Sequence, residues 1–563
     1  MFDERKDEVG MFLNKCLEIL KKYYFLLVPL AITAVSLLFF HPYYDVGKDD
    51  IVLSNMVNSA QTNSHSEFLV FISIYLGYFM RFFALLFPSL NIYEITLVLA
   101  FTGAFAALFY NTRKYKNKLL SGVVLASLQV FLLFGITFTI VAFLCSAAGI
   151  MLILENVERL NKKSIKYFAL AFLLIFVGLG YRRGSLATCV FLVFLPTLFF
   201  AVRYKRNSLA VALAVVVLFT GTHQFLKTSQ SLYVEHLYAG TDYVSFNRYR
   251  GIASDGGDLY YKDHPLYFHV NHISESDVDM YRAFRFNDKT MFPVEKVKAL
   301  AESLSPENKY LFDFGKVMAQ SFEGTFLHWF LLSGLFCLIF LRKNRWEVLG
   351  DVVFVMTAVI YLHFRKRGIG RVVNPIVFIG YILLLFRFLQ HEVSETKSPL
   401  AYALRYGTVA ALLVFTLILP LSSHRGGYYW FLEQEAKNTS KIVQHIREDA
   451  EHKYVSFASL SSMRNLSLTR QEPIAENLIT NVYVGWMVYT PYWYDLLEQH
   501  GIEEYKDCLY LSLLEPEIKV LCTSPGTVDN LDAALEDNYG IDVRSHLGMV
   551  RNGRQIYTMW QED

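Results

Sequence analysis

The sequence is poor in charged residues and lacks the short motifs of several common protein classes. Charged side chains make up 18% of its 563 residues, whereas soluble proteins usually carry about 25%. No polybasic tract of nucleic-acid type is present, so we set nucleic-acid-binding proteins aside. No CxxC or HExxH pattern occurs, so the sequence indicates no zinc site and no cofactor. No internal repeat or low-complexity linker separates parts of the chain.

Cysteine is also scarce, with six residues in the whole chain. Four of them fall in or beside apolar segments, where they act as small hydrophobic residues. Cys508 and Cys522 lie together in a polar tail. Spacing alone does not establish disulfide geometry, so a bond between these two stays open.

Long apolar runs dominate the rest of the sequence. A membrane span needs about 20 largely apolar residues, and this criterion predicts eleven spans, at 24–41, 92–110, 119–134, 136–155, 167–181, 186–202, 208–226, 322–341, 348–363, 372–389 and 407–422. Basic residues precede the first run, which lacks a small-residue cleavage site, so we expect a first span with a cytoplasmic start and not a cleaved signal.

The apolar stretch 67–88 contains Arg81 and ends at Pro88. If it lies along the membrane surface, the basic loops at 111–118, 156–166, 203–206 and 342–345 all face the cytoplasm, as the positive-inside rule requires. We therefore predict an interfacial helix at 67–88. The N-terminus is then cytoplasmic and the C-terminus extracytoplasmic.

This topology predicts a mainly α, polytopic membrane protein with two parts. A transmembrane domain covers 1–422 and carries two outer loops, 42–91 and 227–321. The tail, 423–563, has the composition of a small extracytoplasmic α/β domain, with a helix near 433–451 and strands near 454–458 and 507–511.

An acidic pair and two basic turns fall on the predicted outer face. Asp49 and Asp50 directly follow the first span and are candidates for a general base or a cation site. Basic residues occupy two outer turns, where they are candidate ligands of a lipid phosphate; they are Arg182, Arg183, Arg365, Lys366, Arg367 and Arg371. A solvated acidic turn and binding of ordinary anionic headgroups are the alternatives.

The loop 227–321 is rich in aromatic and charged residues, as expected of a substrate-binding loop or lid. Its candidate substrate residues are Arg248, Arg250 and Asp288. The histidines of this region are better explained as polar loop residues than as metal ligands.

The run from Asp49 to Glu94 resembles GT-C type glycosyltransferases, in particular bacterial GtrII-like O-antigen glucosyltransferases. The resemblance rests on an acidic pair after span one, an interfacial helix, and a pattern of Pro88, Asn91 and Tyr93 that leads into span two. The RRGS turn and the FNRYR and FRFND stretches also look like this group. Ser54-Asn55 departs from it, because many relatives have an arginine after the acidic pair.

The resemblance implies an inverting sugar transfer from a polyprenyl-phosphate (undecaprenyl-type) donor to a cell-surface glycan acceptor in the bacterial inner membrane. An outer-loop aspartate takes the proton of the acceptor hydroxyl and the lipid phosphate leaves. A divalent metal is possible but not indicated. A polysaccharide polymerase or O-antigen ligase, a transporter, and a non-catalytic envelope assembly protein are the competing interpretations. The sugar, the acceptor, the oligomeric state and the choice between Asp49 and Asp50 stay open.

Overall fold

The computed structural model describes residues 2–40, 42, 44, 49–113, 115, 118–156, 165–183, 208–255, 259–304, 314–322, 325–340, 345–364, 370–390, 441–457, 466–470, 475–479, 485–551 and 554–562. Most of these residues are helical, and a small sheet lies near the C-terminus. The predicted mainly α chain with a C-terminal α/β unit is confirmed at this level. The predicted domain boundary at 422/423 and the predicted spans 186–202 and 407–422 lie outside the described residues.

The N-terminal part is a bundle of apolar helices. In chain order its helices are α1 (Phe2–Val35, continued as a π-helix over Ser36–Phe40), α2 (Asp49–Asn58), α3 (Ile74–Leu86), α4 (Ile92–Thr112), α5 (Lys118–Leu133), α6 (Phe138–Asn156), α7 (Ile165–Tyr181) and α8 (Ser208–Leu237). Later helices that pack with it are α13 (Phe314–Phe322), α14 (Thr325–Phe340), α15 (Arg345–Phe364) and α16 (Gly370–Gln390).

Among the described residues, three helices are long and apolar enough to cross a membrane, namely Lys21–Phe40, Ile92–Thr112 and Arg345–Phe364. Several predicted spans instead correspond to apolar helices of 10–17 residues in the described part of the chain. The prediction of eleven full-length spans is therefore supported only in part.

Helix α3 is the segment predicted to lie along the membrane surface. It has 13 residues, so it is about 20 Å long, too short to cross a hydrocarbon core of about 30 Å. Ser73 N, at its start, donates to Gly180 O at the end of α7, and Leu90, beyond its end, adjoins the start of α4. Ile92 N, at the start of α4, donates to Asn58 Oδ1 of α2 at 3.0 Å. The start of α4 and the end of α7 lie at the same end of the bundle, and so do the two ends of α3. The surface position of 67–88 stays a prediction.

Helices α6 and α7 pack closely because glycine faces small residues. A Cβ atom at Gly178 would overlap Ser146 and approach the Ala142 carbonyl oxygen to 2.7 Å. The close approach brings the end of α7 against the start of α6. Residue 182, which follows α7, is thereby placed beside residues 138 and 139.

The predicted outer loop 227–321 contains much helical structure. Helix α8 runs past the predicted end of its span to Leu237, because Ile74 N donates to Gln230 Oε1 at 2.9 Å and Tyr75 stacks on Phe225 at 5.3 Å. Short helices follow, α9 (Tyr243–Asp255), α10 (Pro265–Val270), α11 (Glu275–Arg282) and α12 (Val294–Ser303).

The C-terminal unit contains a five-stranded sheet of order β2-β1-β3-β5-β4. Its strands are β1 (Lys453–Ser456), β2 (Leu478–Ile479), β3 (Ile518–Cys522), β4 (Val543–Arg551) and β5 (Arg554–Gln561). Strand β1 pairs in parallel with β2 and β3, whereas β5 is antiparallel to both β3 and β4. The helices α17 (Pro491–Gln499) and α18 (Gly526–Tyr539) accompany the sheet.

The structure tests three secondary-structure predictions for this unit, and the helix expected near 433–451 is present at 441–448. The strand near 454–458 is confirmed by β1, but the strand predicted at 507–511 is wrong, because Leu509–Leu514 forms a 3-10 helix. A short apolar run does not distinguish the two conformations. Cys508 and Cys522 are both free thiols, and Cys522 donates to the Ser524 carbonyl oxygen at 3.3 Å.

Candidate functional site

Asp50, a residue of α2, is a buried carboxylate that lies beside the start of α6. Its side chain is 1% exposed, and Oδ1 accepts from Tyr93 Oη at 2.7 Å and from Phe138 N at 2.9 Å. Phe138 is the first residue of α6, whose initial N–H groups have no partner within the helix and favour negative charge. Asp50 therefore joins α2 to α4 and α6.

Asp49 lies beside Asp50 but is half-buried. Its Oδ1 accepts from Trp486 Nε1 at 2.9 Å, so a residue of the C-terminal unit reaches the acidic pair. Of the two carboxylates, Asp49 is the one that solvent or a bound molecule reaches. Asp49 and Asp50 thus differ in burial, although nothing in the sequence distinguishes the two residues.

A cluster of three aromatic rings adjoins this carboxylate. The ring of Phe71 lies 4.9 Å from that of Trp486 in an edge-on arrangement and 5.9 Å from that of Phe138 in a stacked one. Phe71 follows Val70, whose φ of +40° is rare for a β-branched residue. Such strained backbone is typical of functional sites, where the surrounding structure enforces it.

Arg182 packs against the rings of Phe71 and Phe138. Its Cζ atom is 5.7 Å from the Phe71 ring centroid and 5.1 Å from that of Phe138, and its Nη1 donates to Thr139 Oγ1 at 2.8 Å. Because Asp50 binds Phe138 N and Arg182 binds the next residue, the start of α6 holds an anion and a cation side by side. The structure therefore brings together Asp49, Asp50 and Arg182 from distant parts of the sequence.

Arg183 is directed elsewhere. Its Nη1 donates to the Leu226 carbonyl oxygen of α8 at 3.0 Å, and its own carbonyl oxygen lies 3.1 Å from His223 Nε2. Burial lowers the pKa of Arg183 to about 10, which still leaves the guanidinium charged at neutral pH. Its contacts join the turn after α7 to α8, and its role as a lipid-phosphate ligand stays a prediction.

The second basic turn is described only at its end. Arg365, Lys366 and Arg367 lie outside the described residues, and Arg371 is the second residue of α16. The ring of Tyr115, which follows α4, lies 6.3 Å from that of Phe386 near the end of α16. The ends of α4 and α16 therefore lie together, so the two helices start at the same end of the bundle. Because α4 starts next to Asn58, this is the end that holds Asp50. The backbone of Arg371 thus belongs to that end.

The candidate substrate residues of the outer loop make local contacts. Arg248 is exposed and its guanidinium lies 5.8 Å from the ring of Tyr249. Arg250 donates from Nε and Nη2 to Asn247 Oδ1 at 3.0 and 2.9 Å. These contacts are with the loop itself and not with the acidic pair.

Asp288 connects the outer loop to the C-terminal unit. It is fully buried; Oδ1 accepts from Met291 N at 2.9 Å, and both oxygens accept from Tyr539 Oη at 2.9 and 3.0 Å. The next residue, Lys289, forms an ion pair with Asp507 at 2.9 Å. Asp288 therefore occupies a junction between two parts of the protein, and its role as a substrate residue stays a prediction.

Burial raises the pKa of Asp288 to about 6. The folded protein then holds this proton more tightly than the unfolded chain, so stability from Asp288 is greatest below its ordinary pKa and is lost as pH rises through 6. We expect a loss of up to about 3 kcal/mol. In Asp288→Asn this part of the pH dependence should vanish.

Thermal unfolding of the solubilised full-length chain between pH 4.5 and 7 measures the effect as a difference between wild type and variant. The difference is needed because burial also raises the pKa of Asp532 to about 6. The matched control is Asp507→Asn, which alters the neighbouring half-exposed carboxylate. Equal slopes for wild type and Asp288→Asn would contradict the prediction.

Sequence reasoning missed Trp486, Phe71 and Thr139. The composition of the tail predicts a separate domain, and no signal at Trp486 distinguishes it from the other five tryptophans of the chain. Phe71 lies within the apolar run assigned to the surface helix. Only the tertiary contacts identify these residues.

Comparisons with known proteins give little further information. No family model and no curated protein matches the chain. One similar solved structure is the crystal structure of ArnT from Cupriavidus metallidurans bound to undecaprenyl phosphate, which is 11% identical, with 95% of this chain and 97% of that chain covered and a TM-score of 0.37. A likeness at this level carries no argument about function, so the chemistry of the site has to be argued from its own geometry.

Proposed function

We propose that the protein is a GT-C type membrane glycosyltransferase that moves a sugar from a polyprenyl-phosphate donor to a glycan hydroxyl on the extracytoplasmic face. The supporting observation is the meeting of Asp49, Asp50 and Arg182 around Phe71 and Phe138 at one end of a bundle of apolar helices. A carboxylate, a guanidinium and aromatic faces are the groups that such a transfer needs.

Asp49 is the general base in this proposal. Its half-buried carboxylate is accessible, whereas the Asp50 carboxylate is enclosed by Tyr93 and Phe138. The acceptor oxygen forms a bond to the anomeric carbon as the bond from that carbon to the phosphate oxygen breaks, and the hydroxyl proton passes to Asp49. Attack from the face opposite the leaving group inverts the anomeric carbon. A positioned base contributes about 10²–10⁴-fold to such a step.

Arg182 stabilises the leaving phosphate. Negative charge grows on that phosphate as the glycosidic bond breaks, and a guanidinium aimed at it lowers the energy of the transition state. Arg182 is half-buried and is held by Thr139 through one nitrogen. The planar fork of an arginine suits a phosphate better than an ammonium does. Arg371, and with it Arg365, Lys366 and Arg367, remains a candidate for the same lipid phosphate.

The position of the site fits a lipid-linked donor. Helix α3 exposes an apolar face next to the site, with Phe79, Phe82, Leu85 and Leu86 each about half exposed or more. A polyprenyl chain is entirely apolar and would remain in the lipid beside this face while its phosphate reaches Arg182. An enzyme on the outer face has no nucleotide sugars available, so its sugar has to arrive attached to lipid. The GtrII-like group, the inner membrane and the cytoplasmic N-terminus are the finer parts of this proposal.

Mass spectrometry of envelope glycans tests the function. Three strains are compared, with the wild-type gene, without it, and with an Asp49→Asn copy expressed at the same level. We expect one glycan to lose the mass of a single sugar in both of the altered strains. An unchanged glycan after deletion contradicts the proposal, as does full restoration by the Asn variant, which would indicate a non-catalytic assembly role. Loss of chain length with an intact repeat unit would indicate a polymerase instead.

A further inference from the structure

Trp486 belongs to the C-terminal unit but contacts the acidic pair of the helical bundle. Its indole Nε1–H donates to Asp49 Oδ1 at 2.9 Å, and the side chain is 5% exposed. The edge of its ring packs on Phe71 at 4.9 Å. The indole thus lies between the C-terminal unit and the candidate base.

The segment Gly485–Thr490 that carries Trp486 has little freedom. A Cβ atom at Gly485 would overlap the ring of Phe286, so only glycine fits there. Tyr489 has a φ of +64° and its ring packs edge-on against Phe246 at 5.0 Å. The segment ends where Thr490 Oγ1 accepts from Trp493 N at 3.3 Å and begins α17.

The first outer loop also holds this part of the C-terminal unit. Ser64 donates to Asp495 of α17. Further along, Asn91 N donates to Leu468 O at 2.9 Å, and Arg470 Nη2 donates to Ser59 O at 2.9 Å. The C-terminal unit is therefore attached around the acidic pair at several points, and Trp486 is the side chain that it extends to Asp49.

We propose that Trp486 is a positioning residue for Asp49, and that the C-terminal unit thereby completes the active site. The inference rests on the proposed function. An N–H donor on Oδ1 restrains rotation of the carboxylate, so that the base keeps its orientation toward the acceptor hydroxyl. Catalysis by a base depends steeply on such orientation, and buried partners of catalytic groups commonly supply it.

Trp486→Phe removes the N–H and keeps an aromatic ring. Loss of a hydrogen bond to a charged group should lower kcat for sugar transfer by about 10- to 150-fold. The KM for the lipid-linked donor should stay nearly constant, because Trp486 holds the base and not the donor. The measurement is steady-state transfer by the full-length protein in nanodiscs, with the polyprenyl-phosphate sugar that the glycan analysis identifies.

Trp493→Phe is the matched control. Trp493 is fully buried in α17 of the same unit, and its Nε1 has no hydrogen-bond partner among the described residues. The same chemical change there should leave kcat within about 2-fold, since no bond to a charged group is lost. Thermal unfolding of both variants shows whether either is damaged.

Trp486→His distinguishes the effect of the indole N–H, the hydrogen-bond donor, from the effect of ring packing. The imidazole ring overlays the five-membered ring of indole and places Nε2–H close to the position of Nε1–H. We expect this variant to retain more kcat than Trp486→Phe. Equal losses in the His and Phe variants, or a Phe variant that matches Trp493→Phe, overturn the inference. If the wild-type protein itself transfers no sugar, the proposed function fails first, which is a different result.

Discussion

Asp49→Asn is expected to lower sugar transfer by about 10²–10⁴-fold, the contribution of a positioned general base. Asparagine has the size of aspartate, and its oxygen still accepts from Trp486 Nε1, so the surroundings should keep their geometry. A carboxamide does not take the proton of the acceptor hydroxyl at neutral pH. Transfer is measured with purified protein at saturating donor and acceptor, together with thermal unfolding.

The matched control for this variant is Asp279→Asn. Asp279 is an exposed carboxylate of the outer helices, paired with Arg282 at 3.2 Å, and its neutralisation should leave transfer unchanged. Full activity in Asp49→Asn would remove the carboxylate from the mechanism.

Asp50→Asn provides an informative contrast. One oxygen suffices to accept from Tyr93 and Phe138, so the hydrogen bonds survive, but the negative charge at the start of α6 is lost. The charge is worth about 0.3–2 kcal/mol at a helix N-terminus. We therefore expect a lower unfolding temperature and a smaller loss of activity than in Asp49→Asn. The reverse order of activities would identify Asp50 as the base.

Arg182→Gln is expected to lower transfer by about 10- to 150-fold, because one hydrogen bond to a charged phosphate is lost. Arg182→Lys should also impair transfer, since an ammonium does not form the two parallel bonds of a guanidinium. Transfer rates at several donor concentrations show whether donor binding or the chemical step is affected.

Arg183→Lys is the control for the Arg182 variants. Arg183 is the adjacent arginine, and its contacts are with α8 and not with the acidic pair. It should tolerate lysine with little change in transfer. If Arg182→Lys is as active as Arg183→Lys, Arg182 does not bind the phosphate in the way proposed.

Charge in unexpected places made part of the site predictable from the sequence. Asp49, Asp50 and Arg182 lie next to apolar runs, where a charged side chain is energetically unfavourable and is usually paired or functional. The distribution of basic loops predicts a surface position for 67–88, which stays a prediction; the structure shows a helix of 13 residues within this segment, α3. These inferences needed only local composition.

The remainder of the site depends on contacts that local composition does not encode. Arg182 and Arg183 look equivalent in the sequence, yet the helix ends around them direct one toward Thr139 and the other toward Leu226. The charge of Asp288 in an aromatic loop makes it a candidate in the sequence, but its partner Tyr539 lies 251 positions further along the chain. Each distinction is made by packing between segments that are distant in sequence.

The contact between Trp486 and Asp49 joins residues that are 437 positions apart. A ribosome adding about 5–20 residues per second would need roughly 20–90 s to reach the second after making the first. During that interval Asp49 is without its indole partner. A chain truncated before Trp486 would hold the acidic pair without this contact, so the proposed site would be complete only after Trp486 has been synthesised.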